Sequence, residues 1–124
     1  MSRPDTLTAS AESRVRTSFA AQAMLATMGA SIVEVGAGRV VLEMPSDPRF
    51  GQQFGYTHAG AVTALVDTAC GYAALTTMAD DREVLTVDFS RTSWRPRRGS
   101  GSARRPQFCG RAGRSSSRAA RCTR

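Results

Sequence analysis

QQFGYTHAGAVTALVDTACGYAA, residues 52–74, is the stretch on which the fold of this chain turns. It opens polar and Gly-rich, with Phe54, Gly55 and the one histidine of the chain, His58, and then becomes apolar and small. Ala61, Leu65, Ala69 and Tyr72 recur at steps of four, four and three, the spacing of one helix face. Pro is absent from the run, and Ala, the strongest helix former, is frequent. The spacing predicts a helix reaching about residue 78. Asp67 sits in its middle, and a carboxylate is rare on so apolar a helix unless it is paired or used.

On the N-terminal side, residues 45–57 read as a connecting loop that holds Gln52 and Gln53. Pro45 and Pro48 close a strand over 39–44. A second strand, 31–35, joins it through Gly36-Ala37-Gly38, a turn-forming triplet between Val- and Ile-rich segments. Residues 10–28 read as one helix. Ser10 caps it, Glu12 suits its first turn, Val15, Phe19, Ala23 and Ala26 form its apolar stripe, and Gly29 stops it. On the C-terminal side, Asp80-Asp81 make a turn. A third strand follows over 83–89, with Thr86 and Asp88 on one face and Leu85, Val87 and Phe89 on the other.

The chain has 124 residues, enough for one domain with one modest core. Its net charge of +7 is unevenly placed. Residues 1–90 carry six Arg and all ten acids, net −4, whereas residues 91–124 carry eleven Arg and no acid. This tail shows no two-residue alternation and almost no Val, Ile or Leu, a composition too poor in apolar surface to offset its chain entropy. The expected division is a flexible tail over 1–10, a folded domain over 11–90 and a disordered Arg-rich tail over 91–124. Three cysteines, Cys70, Cys109 and Cys122, lack metal-ligand spacing and fit no disulfide framework. The N-terminus has no apolar signal core and no segment is long enough to span a membrane, so a cytoplasmic protein is expected.

Gln52, Gly55, His58, Ala59, Gly60 and Asp67 together match an amide, then G-x-x-H-[GA]-G, then an acid nine residues after the His. With RVVLEMP before them, DTACGYAA within the helix and VLTVDF after it, the chain over 12–90 resembles the hotdog-fold acyl-CoA thioesterases of the PaaI-like branch. The resemblance implies an α+β hotdog fold, an antiparallel sheet wrapped round a long central helix, with homodimers or homotetramers. It also implies further strands after 84–89, where the tail departs from the family. A change of reading frame near residue 90 accounts for that departure: shifted by two bases, codons for 92–96 can spell Leu-Leu-Ala-Pro. The C-terminal strands are therefore expected to be missing.

The activity implied is hydrolysis of an acyl-CoA thioester to free acid and CoA, with no metal or redox cofactor. Asp67 would be the base or nucleophile, and poor solvation on the helix would favour its basicity. The Ala59 N–H, beside Gly60 at the helix start, would polarise the thioester carbonyl. His58 would orient the thioester or hold the loop, Gln52 would hold the attacking water or the carboxylate, and Thr86 would orient the water. Each residue also has a plain alternative: a locally paired acid, an ordinary first turn, a structural histidine, a solvated amide, a strand-forming threonine. His58 and Asp67 lie nine residues apart, about 13–14 Å along a helix and half a turn out of phase. They do not easily serve one small site within a single chain, and the resemblance implies a site at a dimer interface, with the loop from one chain and the acid from the other. Two other readings are a non-functional product of a damaged gene and a nucleic-acid-binding chain acting through its basic tail. The tail lacks the interleaved aromatics of a single-strand binder.

Overall fold

The computed structural model describes residues 6–85, 107–112 and 120–123. Helix α1 spans Ala9–Ala21. Its cap is Thr8, two residues before the expected Ser10, and the Thr8 hydroxyl accepts the Ala11 N–H at 3.1 Å. Glu12 occupies the first turn and pairs with Arg16 one turn on, at 2.7 Å. The helix then breaks. Gln22 takes an extended conformation, φ −85° and ψ 99°, and a short helix α2 follows over Ala23–Thr27. The single helix expected over 10–28 is thus two, and the break turns the apolar face. Leu25 and Met28 are buried, whereas Ala23 and Ala26, assigned to the stripe, are exposed. The Gln22 amide donates to the Tyr72 hydroxyl at 2.5 Å, a long-range bond that a continuous helical pattern cannot reveal. Gly29, at φ 65°, ends α2 as expected: its N–H reaches Ala26 O and the Ala30 N–H reaches Leu25 O, each at 3.0 Å.

Strands β1 (Ser31–Gly36) and β2 (Arg39–Glu43) form the expected hairpin. A register shift between Ile32 and Glu34 leaves Val33 as an extra, exposed residue. The turn docks on the far end of the central helix, where the buried Thr76 hydroxyl accepts the Gly38 N–H at 2.8 Å and donates to Ala73 O at 2.7 Å. The central helix, α3, spans Ala59–Leu75. It buries Val62, Leu65, Val66, Ala69, Cys70, Tyr72, Ala73 and Leu75, a wider face than the four-residue stripe suggests. Arg14 of α1 ties down the chain after α3, donating to the Ala79 and Arg82 carbonyls and pairing with Asp80 at 3.6 Å.

The Arg-rich segment departs from its expected character. Residues Gln107–Ala112 form β3 and Ala120–Thr123 form β4, completing an antiparallel sheet in the order β1-β2-β3-β4. The register places Leu42 opposite Phe108, Val41 opposite Cys109 and Val40 opposite Gly110. Val40, Leu42 and Phe108 belong to the core beneath α3, and α3 packs most extensively on β3. The expectation of a strandless tail is therefore corrected over these two segments. Phe108 supplies the missing apolar surface, and Gly110 lets the strand lie directly on the helix backbone. The rest of 91–124 lies outside the described residues. Of the strand expected over 83–89, residues 83–85 form none, and Leu85 is exposed. The remainder, with Thr86, lies outside the described residues. Among the described residues, no helix is long and apolar enough to cross a membrane.

Candidate functional site

The loop ahead of α3 is built by its own hydrogen bonds. Asp47 caps a 3-10 turn over Pro48–Phe50, its carboxylate accepting the Arg49 N–H at 2.9 Å and pairing with the Arg49 guanidinium at 2.7 Å. Those contacts, the side-chain bond first and the backbone bond second, hold the Asp47 carboxyl below its usual range. Residues 51–57 then fold back as a tight hairpin. Gly51 bridges Thr57, the Gln52 N–H donates to Tyr56 O at 2.8 Å, and Gly55 takes φ 81° at the tip. Phe54, beside Gly55, is 73% exposed. The His58 N–H closes the loop on Phe50 O at 2.7 Å.

His58 is the N-cap of α3. Its Nδ1 accepts the Gly60 N–H at 2.8 Å. A ring nitrogen that accepts an N–H carries no proton, so in the neutral ring the proton lies on Nε2. The cap thus fixes the tautomer and leaves Nε2–H as the remaining ring donor. Gly60 N–H is occupied by this cap, while among the described residues nothing accepts the N–H of Ala59. That group lies at the positive end of a 17-residue helix.

A cavity of about 580 Å³ opens at this end of α3. It is lined by His58, Gly60 and Ala61 at the start of α3, by Arg49, Phe50 and Gly51 of the preceding loop, and by Met24 and Thr27 of α2 with its C-cap Met28. The Arg49 guanidinium lies 5.8 Å from the centroid of the Phe50 ring. A volume of this size falls within the roughly 300–1,000 Å³ usual for small-molecule sites.

The structure thus gathers His58 and Gly60, with Ala59 between them, around one cavity. It does not bring Gln52 or Asp67 to that cavity within the single chain. The Gln52 Oε1 accepts the Phe54 N–H inside the hairpin, so the side chain helps hold the loop. Asp67 is half-buried about two turns further along α3, and among the lining residues there is no carboxylate. The α2 and Arg49–Phe50 walls were not singled out from the sequence. Met24 and Met28, one turn apart, are a signal only once the helix is known to restart at Ala23.

A comparison with known protein families finds no match. Over 51 residues the chain is 47% identical to "Putative esterase ComA2" of Bacillus subtilis (strain 168), a stretch of 41% of this chain and 40% of that protein. It therefore spans well under half the length of that curated relative. Among solved structures, a thioesterase family protein from Silicibacter pomeroyi superposes with a TM-score of 0.71 at 42% identity, covering 82% of this chain and 71% of that one. The PaaI protein of E. coli, from the phenylacetic acid degradation operon, superposes at 0.76 over 90% of this chain and 76% of its own, at 16% identity, a likeness of fold alone.

Proposed function

Because this chain belongs to the hotdog-fold thioesterase family, we propose that it hydrolyses an acyl-CoA thioester to the free acid and CoA. The observation that carries the reading is the uncapped Ala59 N–H at the α3 N-terminus, set between two residues that line a largely apolar cavity. A thioester carbonyl placed there meets a backbone donor and a helix dipole where negative charge develops. His58 lines the same cavity, and its Nε2–H, in a tautomer held by the cap, offers a second donor.

In this proposal Asp67 takes a proton from water as the oxygen attacks the carbonyl carbon. The C–O bond forms, the oxyanion rests against Ala59 N–H, and the C–S bond then breaks. CoA leaves as thiolate and takes up a proton. Asp67 and Ala59 are about 12 Å apart along one helix, so in this proposal the acid comes from a second copy of the chain.

The test is release of CoA thiol from acyl-CoA by the purified chain and by Asp67→Asn. Loss of rate by about 10²–10⁴-fold in the variant, with folding intact, is expected for removal of a general base. Unchanged turnover in Asp67→Asn would sink the assignment.

A further inference from the structure

Three of the nine residues lining the cavity come from α2, a five-residue helix separated from α1 by the break at Gln22, and from its C-cap Met28. Met24, Thr27 and Met28 stand at i, i+3 and i+4, so they share one face. They line the same cavity as His58, Gly60 and Ala61 at the α3 N-terminus, where the proposed reacting carbonyl rests. We infer that this α2 wall meters the acyl group, setting how long an acyl chain this protein accepts and requiring its far end to be apolar. The inference rests on the thioesterase reading.

Several features support it. The charged and ring donors among the lining residues, Arg49 and His58, belong to the loop and to the α3 N-terminus, not to α2. The α2 wall brings two thioethers and a threonine whose hydroxyl donates within its own helix, to Ala23 O at 3.0 Å. A polar substituent at the far end of an acyl group would lose water there and gain little in return. Methionine side chains are unbranched and adaptable, suited to pack against apolar groups of differing length. The wall is also held in place. Gln22 is anchored on the Tyr72 hydroxyl at one end of α2, and Gly29 terminates the other. Met28 is rooted in the core at 2% exposure, whereas Met24 is 59% exposed and forms the outer rim.

Met24 is therefore the position to vary without threatening the fold. Met24→Trp narrows the cavity and Met24→Ala opens it. The readouts are the ratio of kcat/KM for decanoyl-CoA over butyryl-CoA, and calorimetric binding of free decanoate and butyrate. In Met24→Trp the decanoyl preference should fall at least tenfold, within the roughly 10–200-fold that a small change in an apolar pocket is worth. Decanoate binding should weaken in parallel, and Met24→Ala should not lower either ratio. If hydrolysis occurs but both ratios stay within twofold of the parent in both variants, the α2 wall is wrong and the thioesterase reading stands. If no acyl-CoA is hydrolysed yet decanoate binds and Met24→Trp abolishes that binding, the wall stands and the activity is wrong. Failure of the parent chain to bind decanoate overturns the inference.

Discussion

Gly110 of β3 and Ala69 of α3 meet backbone to backbone: a Cβ on Gly110 would collide with the Ala69 carbonyl and the Cys70 amide. The same glycine pairs with Val40 in the sheet, so it cannot withdraw from the helix without leaving its register. Gly110→Ala should therefore destabilise the chain by about 1–3 kcal/mol or more, the cost of overpacking a closed contact. Urea denaturation of the two proteins checks it, and equal midpoints would show that β3 does not lie where the structure puts it.

That contact also shows what the sequence could and could not reveal. The central helix was legible because its small apolar residues repeat locally, from Ala61 to Tyr72. The hairpin at Gly36–Gly38 was legible for the same reason. β3 was not, because Phe108 is its one large apolar residue and its burial depends on β2, more than sixty residues earlier. The break at Gln22 was hidden likewise, since its partner Tyr72 is fifty residues away. At the site, the N-terminal position of His58, Ala59 and Gly60 on α3 was legible. The loop-bound state of Gln52 was not, because Asn and Gln amides reach their own backbone as readily as a water.

Thr76 is the buried polar residue that joins the β1–β2 turn to the end of α3. Thr76→Val keeps the shape but leaves the Gly38 N–H buried without an acceptor, and should cost about 1–3 kcal/mol. Thr76→Ser keeps the oxygen and should recover most of that loss. Paired thermal melts separate the two; equal losses would mean that packing, and not the hydrogen bond, is what the threonine supplies.

His58 caps α3 and lines the cavity, and two substitutions divide those roles. His58→Ala removes the cap and should cost about 0.5–2 kcal/mol of stability together with turnover. His58→Asn restores a strong capping oxygen and should recover stability but not rate, because the ring Nε2–H is gone. Full recovery of turnover in the Asn variant would reduce His58 to a cap.

Asp47 is held below the usual carboxylate range by Arg49. A carboxylate whose pKa falls on folding stabilises the fold above its unfolded value, near pH 4, and loses that contribution as pH drops through the lower folded value. Asp47→Asn keeps a capping oxygen without the charge. The melting temperature of the parent should exceed that of Asp47→Asn at pH 5, and the gap should close on acidification towards pH 2. A gap that is constant with pH would contradict the pairing.

The pairing of β2 with β3 sets the order in which this molecule can be completed as it is made. The helix that carries the core ends at Leu75, but the strand that covers it begins at Gln107. At a synthesis rate of about 5–20 residues per second, the intervening stretch takes ~2–6 s to emerge. During that interval β2 presents an unpaired edge and α3 an uncovered apolar face, side by side. A nascent chain in that condition is a ready partner for a chaperone, or for the same exposed edge on the chain next to it.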